Sequence, residues 1–168
     1  MGPAVARGAG LTNFDAMYRN SALKKCRALC ARQERCAQDL RMRLEEWDLA
    51  EGDIVFVLSG LQKEDFLNET RYAEAFAVGH FRQKGWGKRM IREALLSKGI
   101  PERLVAAGLN AIEEDEYGTV LAGLVRKRFR MEKEPDKFIR GQRVIRYLIG
   151  RGWEADAVRR AVAAMPKR

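Results

Sequence analysis

Apolar residues in this chain recur on a helical period and then recur again as blocks about fifty residues apart, and this double periodicity limits the fold more than any other feature. Shifting the sequence by 53 residues superposes Leu95, Gly99 and Ile100 on Leu148, Gly152 and Trp153, and Val105 and Leu109 on Val158 and Val162. A shift of 51 places Leu40, Leu44, Ile54 and Leu58 beneath Ile91, Leu95, Val105 and Leu109. One supersecondary unit therefore occurs three times. A unit that short buries too little apolar surface to be comfortable alone, so each is expected to lean on its neighbour. The expected fold is all-α, a tandem array of three three-helix units, elongated or curved.

Within the units, the i, i+3, i+4 spacing predicts helices near 21–31, 34–47, 50–62, 69–84, 87–98, 101–113, 116–133, 137–150 and 154–164. Gly85, Gly99 and Gly152 fall where helix C-termini favour a residue tolerant of positive φ, and Pro101 falls where a helix begins. Ile54–Leu58 alone reads like a strand. The helical spacing of Ile54, Val57, Leu58 and Leu61, with Asp48 and Glu51 ahead of them as a capping box, assigns it to a helix. Residues 1–13 are rich in Gly and Ala and lack periodicity. The expected division is a flexible tail over 1–19 and units over 20–66, 67–114 and 115–168.

With 46% hydrophobic and 33% charged residues, the composition belongs to a folded protein rather than a disordered one. No charge-free run exceeds nine residues, Ile54 to Gln62 being one, so no membrane span is expected. The start matches neither a signal peptide nor a myristoylation pattern, and the expected location is the cytoplasm. Cys26, Cys30 and Cys36 are an odd number for disulfides and too few for a four-ligand zinc site. Cys26 and Cys30 share a helix face with Leu23, which assigns them to the core. His80 is the only imidazole, and it reads as a helix-face residue four positions after Phe76. No phosphate-cradling loop follows a strand, no catalytic constellation emerges, and no metal or cofactor is expected.

The net charge of +9 is unevenly spread: +3 over 1–50, −2 over 51–115 and +8 over 116–168. The acidic middle holds one concentrated basic stretch, Phe81 to Arg92, with Arg82, Lys84, Lys88, Arg89 and Arg92 and no anion. Lys88 and Arg92 lie four apart at a helix start and are expected to be unpaired, an arrangement that awaits an external anion. Trp86 stands beside them. The third unit repeats the theme with Arg126, Lys127, Arg128, Arg130 and Lys133, then Lys137, Arg140, Arg143 and Arg146. Such surfaces are either solvated or contact nucleic-acid phosphates or an acidic protein groove. Trp86, Trp153 and Tyr147 are either base-stacking platforms or core anchors. Glu113 to Glu116 read as a solvated linker whose charge suits the dipole of the following helix.

Phe66-Leu-Asn-Glu-Thr-Arg71-Tyr72-Ala73-Glu-Ala-Phe76, then Lys84-Gly-Trp86-Gly87, Ile91-x3-Leu95, Lys98-Gly99-Ile100 and Tyr147-Leu148-x2-Arg151-Gly152-Trp153, give the chain a family likeness. Over about residues 20–165 it resembles the RecX family, regulators of the RecA recombinase, themselves arrays of three-helix units. Two positions depart from that pattern. Cys36 replaces a hydroxyl residue that opens a helix, and Asn68-Glu69 replaces an acidic pair. The resemblance implies a monomeric regulator, not an enzyme, that lies in the groove of a RecA filament on single-stranded DNA. It would lower ATP hydrolysis and strand exchange and favour disassembly, touching DNA directly or through RecA. Arg82, Lys84, Trp86, Lys88, Arg89 and Arg92 are then the expected central contact, and Arg126, Arg130, Arg140 and Arg143 the flanking one. Arg71 and Tyr72 match the family motif, and Tyr72 with Phe76 reads as core. The alternatives are a helical module binding nucleic acid directly and a helical scaffold for an acidic partner protein.

Overall fold

The computed structural model describes residues 13–166. Its helices are α1 (Asn13–Arg32), α2 (Ala37–Glu46), α3 (Glu51–Lys63), α4 (Glu69–Lys84), α5 (Lys88–Ser97), α6 (Glu102–Asn110), α7 (Glu114–Met131), α8 (Lys137–Gly150) and α9 (Ala155–Ala163). No strand occurs among the described residues, so Ile54–Leu58 is helical as its spacing requires. The main helix contacts fall within consecutive triplets: α1 and α2 on α3, α4, α5 and α6 on one another, and α7 on α8 and α9, which also touch. By compactness the chain divides into one unit up to Asn68 and a second from Glu69 onward.

The sequence repeat is a repeat of one turn. The second helix of each triplet ends in a residue of positive φ: Asp48 at 54°, Gly99 at 73° and Gly152 at 87°. After each, the chain returns a 6→1 hydrogen bond: Leu49 N–H to Leu44 O, Ile100 N–H to Leu95 O and Trp153 N–H to Leu148 O, at 3.2, 3.2 and 3.1 Å. The residues on either side of the turn, Leu44 and Leu49, Leu95 and Ile100, Leu148 and Trp153, are all buried. So are Ile54, Val105 and Val158 one turn further on. Each turn thus closes over its own apolar pair, and truncating any of these leucines to Ala is worth about 2–5 kcal/mol by the usual cost of a core cavity.

Asp48 overturns the capping-box expectation. It occupies the left-handed turn at the end of α2, where a short polar side chain is tolerated. Ala50 is the residue that opens α3, with no side-chain cap. A second expectation fails at the N-terminus, because α1 starts at Asn13 rather than near 21, so residues 13–19 are helical. None of the described side chains in its first two turns is buried, which hides these turns from apolar periodicity. They are held instead by the Tyr18 hydroxyl donating to Trp47 O at 2.6 Å and by Arg19, stacked 4.2 Å over Phe56 and 3.8 Å from Asp53. Residues 1–12 of the expected tail lie outside the described residues.

Cys26 and Cys36 are fully buried, Cys30 packs half-buried against the first unit's core, and all three are thiols rather than disulfides. Burial, with Cys30 beside it, pushes the Cys26 thiol up to about 11. Cys36 opens α2 without a side-chain cap, the consequence of losing a hydroxyl there. In the second unit α4 crosses α6 so closely that a Cβ on Gly108 would lie 2.7 Å from Ala73 O. Tyr72, Ala73, Ala77 and Phe81 form the buried face of α4, so Tyr72 and Ala73 of the Arg-Tyr-Ala segment are packing residues.

Candidate partner interface

The start of α5 decides what the central basic stretch can do. A helix opens with backbone N–H groups that lack intrahelical partners, and such a terminus attracts anions. Here Gly87 opens α5 without a side-chain cap, and the donors are taken by the last triplet. Gly87 N–H donates to Arg151 O at 2.9 Å, Lys88 N–H to the Tyr117 hydroxyl at 2.9 Å, and Arg89 N–H to Gly152 O at 3.1 Å. The Trp153 indole N–H donates to Gly85 O at 3.0 Å, and the Tyr117 hydroxyl donates to Glu154 at 2.8 Å. Burial, reinforced by Glu154, pushes the Tyr117 phenol far above its ordinary value and keeps it a donor.

This junction explains the glycines. A Cβ on Gly87 would fall 2.3 Å from Gly152 O, and one on Gly152 would fall 2.4 Å from the Met90 Cβ. Lys84-Gly-Trp86-Gly87 and Arg151-Gly152-Trp153 are therefore two halves of one clasp. Sequence reasoning missed it, and the structure supplies the reason: Gly87 at a φ of −77° needs no glycine for its backbone, which leaves close approach as the cause.

The expectation of unpaired cations is corrected for the same stretch. Arg82 makes a two-pronged pair with Glu116, both contacts at 2.8 Å, and holds that carboxyl below its ordinary range. Lys88 pairs with Glu114 and lies 4.8 Å over the Tyr117 ring. Arg92 grips Glu102 with contacts of 2.9 and 3.0 Å, and Arg89 donates to Ile149 O near the C-terminus of α8. Glu114, Asp115 and Glu116 are the first turn of α7, where they suit its dipole as expected, but Glu114 and Glu116 are ion-pair partners rather than a solvated linker. No anion lies within the stretch because the fold supplies anions from the helices that follow.

Lys84 remains exposed, its ammonium 3.2 Å from His80 Nε2 and 5.2 Å over Trp86. His80 Nδ1 faces Phe76 O at 2.9 Å, and the imidazole stacks on Phe76 at 3.8 Å. Burial, with Lys84 and Lys98 nearby, lowers its pKa against the raising effect of the Phe76 carbonyl. The three aromatics offered as base platforms are otherwise engaged. Trp153 is 1% exposed and stacks on Tyr117, Trp86 is half-buried against His80, and one face of Tyr147 is covered by Arg128 at 4.1 Å.

The flanking set divides. Arg140 donates to Glu134 O at 2.6 Å, and Arg143 reaches Glu132 at 3.1 Å and Glu134 at 2.8 Å, so both brace the connection between α7 and α8. Arg126 and Arg130 are exposed and carry no ion pair among the described residues. Lys127, Lys133 and Arg146, which belong to the same basic run but lie outside the expected contact, are likewise exposed and unpaired among the described residues. Within this flanking basic run, the charge open to a partner is thus Arg126, Lys127 and Arg130 on α7, Lys133 just beyond it and Arg146 on α8. No group of His, Cys, Asp and Glu among the described residues could hold a metal ion, and no described helix is long and apolar enough to cross a membrane.

Comparison with known proteins places this architecture. The model of the RecX second three-helix domain matches residues 68–109, and that of the third matches residues 115–162, together more than half of the chain. A regulatory protein RecX from Leptothrix cholodnii is 34% identical over 110 residues, covering 66% of this chain and 67% of that one. The chain belongs to the RecX family. Regulatory protein RecX of Clostridium perfringens (strain 13) is 28% identical over 121 residues, and there the match covers 71% of this chain but only 56% of the longer relative. Among solved structures, RecX from Lactobacillus salivarius superposes with a TM-score of 0.78 at 17% identity, covering 88% of this chain and 96% of that one. At that identity the likeness concerns the fold. The clasp joins the two matched RecX domains, and the open cations of α7 lie in the third.

Proposed function

We propose that this RecX-family chain regulates the RecA recombinase, binding its filament on single-stranded DNA, slowing ATP hydrolysis and strand exchange, and favouring disassembly. The supporting observation is the row Arg126, Lys127 and Arg130 on α7, exposed and without ion pairs among the described residues, within the segment similar to the RecX third three-helix domain. A polyanionic filament attracts such a face, and modest contacts from linked three-helix units, taken here as 20–66, 67–114 and 115–168, add through effective concentration. The protein acts by binding as a monomer, in the cytoplasm, without catalysis of its own. Of the chosen contacts, Arg126, Arg130 and Lys84 remain available to a partner, whereas Arg82, Lys88, Arg89, Arg92, Arg140 and Arg143 serve the fold first.

The test is the RecA ATPase on single-stranded DNA, titrated with the protein. The parent should inhibit, and Arg126→Glu with Arg130→Glu should weaken inhibition about tenfold or more, as loss of exposed charged contacts implies. If those cations meet phosphates, the salt slope of binding should also shrink by roughly 0.7 for each phosphate left without its cation. An unaffected ATPase at saturating protein refutes the reading, and full inhibition by the double variant removes α7 from the contact.

A further inference from the structure

In the second unit, an open groove of about 380 Å³ runs between the end of α4 with Gly85, α7 and α8. That volume lies at the lower end of the range of ligand-binding pockets, about 300–1,000 Å³. Its floor is aliphatic, with Val120, Leu124 and Met131, and Met131 is 59% exposed. Four cations and no carboxylate line it. Two of these are partly engaged, Arg82 on Glu116 and Arg128 on Tyr147 and, at 3.9 Å, Glu132. The other two keep their charge: Lys127 has no ion pair among the described residues, and the nearest polar partner of Lys84 is a neutral imidazole nitrogen.

We propose that this groove seats an acidic segment of a partner protein that inserts an aliphatic or aromatic anchor between Leu124 and Met131 while its carboxylates meet Lys84 and Lys127. Charge complementarity requires an anionic occupant, and the floor separates the two anionic classes. Single-stranded nucleic acid is held by a basic groove with aromatic platforms for its bases. Of the two aromatic rings bordering this groove, Phe81 is completely buried and Tyr147, 43% exposed, has one face covered by the Arg128 guanidinium, so no pair of open rings is available to stack successive bases. The open surface is mostly aliphatic, with part of Tyr147, and is ringed by cations, the complement of a large apolar side chain flanked by Asp or Glu. The proposal rests on the reading above only for the identity of the protein supplying the segment, and its test does not use that protein.

The full chain, labelled at Leu, Val and Met methyls, is titrated with a short peptide of Asp and Glu carrying one Leu and one Phe. A second peptide has Ser at both apolar positions, and an oligothymidylate serves as the nucleic-acid probe. The first peptide should shift the methyl resonances of Val120, Leu124 and Met131, and the Ser peptide should bind about tenfold more weakly, the loss expected when an anchor's burial is removed. Lys127→Glu with Met131→Glu, both at exposed positions, should weaken the first peptide by a similar factor. Absence of methyl shifts, equal binding of the two peptides, or displacement of the peptide by oligothymidylate from these methyls overturns the proposal. Since the peptide pair is compared on the parent protein, the outcome does not depend on how the variant folds. Peptide binding without any effect on the RecA ATPase would keep the groove and discard the RecA reading, and inhibition without peptide binding would do the reverse.

Discussion

Replacing Gly87 with Ala tests whether the clasp is what holds the second unit together. Gly87 has a φ of −77° and a ψ of 163°, which Ala adopts freely, so the backbone itself is not strained. On an open surface the change would stabilise by about 0.4–1 kcal/mol through the unfolded chain. Here the new methyl falls 2.3 Å from Gly152 C and O and 2.4 Å from Trp153 N, all backbone atoms that a rotamer change cannot move. The two halves must separate. Separation breaks the Gly87–Arg151, Arg89–Gly152 and Trp153–Gly85 hydrogen bonds and lets water reach the edge of a Trp that is 1% exposed. At about 1 kcal/mol for each hydrogen bond and about 25 cal/mol per Å² of apolar surface, the loss is roughly 3–4 kcal/mol. For a chain of this size that is a fall of about 6–16 °C in Tm. Urea and thermal unfolding measure it, with Gly118→Ala as control, a mid-helix glycine on α7 whose Cβ would meet nothing within 4 Å and whose substitution should stabilise by about 0.5–1 kcal/mol. If Gly87→Ala stabilises like Gly118→Ala, the close approach has no energetic weight and the clasp is not a structural joint.

Three other outcomes follow from the same geometry. Arg92→Glu and Glu102→Arg should each lower stability, and the double swap should recover most of the loss, with a coupling of about 0.2–1 kcal/mol in a double-mutant cycle. Additive losses would mean that the pair is not formed in solution. His80, the only histidine, has its pKa lowered in the folded state, so the unfolded chain takes up the proton first. Stability from this group is present above the ordinary value of 6.5, is lost as pH falls below it, and levels off below the folded value; His80→Gln should flatten that part of a urea-midpoint profile. Cys26, raised to about 11, has a thiolate fraction of roughly one in ten thousand at neutral pH, so mass spectrometry should find it unalkylated by iodoacetamide until denaturant is added.

Sequence carried the fold because the fold is built on local signals. Leu44, Leu95 and Leu148 and the residues five positions after them mark the same turn in three places, and Gly99 and Gly152 announce it outright. Asp48 hid the first copy, because at three residues from Glu51 it also fits a capping box, and only the conformation of the turn separates the two roles. The site was less legible because electrostatics depends on residues distant in sequence. Lys88 meets Glu114 twenty-six positions away, and Arg82 meets Glu116 thirty-four away. A count of charges within a window sees cations without anions, whereas the packed helices place an anion on Arg82, Lys88 and Arg92. Trp153 reads from sequence as either a platform or a core anchor, and only the distant Gly85 carbonyl that accepts its indole N–H, with its burial, decides for the core.

These long-range pairs bear on how a basic surface is kept selective. A cation that is exposed and free binds any polyanion, whereas one already paired must be released first, and its partner carboxylate repels the incoming phosphate. Arg82, Lys88 and Arg92 each hold a carboxylate from a following helix, and the N–H groups at the start of α5 are taken up by the clasp. The centre of the second unit is thereby closed to casual anions, while Arg126, Lys127 and Arg130 on α7 stay open. The clasp makes that openness directional: it fixes α5 against α8 and α7 against α5, so the free cations keep their spacing relative to Lys84 at the end of α4. A preorganised row loses little conformational freedom on binding and favours a partner whose charges repeat at the matching distance over one of equal charge density without that spacing. Loosening the clasp by Gly87→Ala should therefore weaken partner binding more than it weakens nonspecific retention on a polyanion column, even in preparations where the helices remain folded.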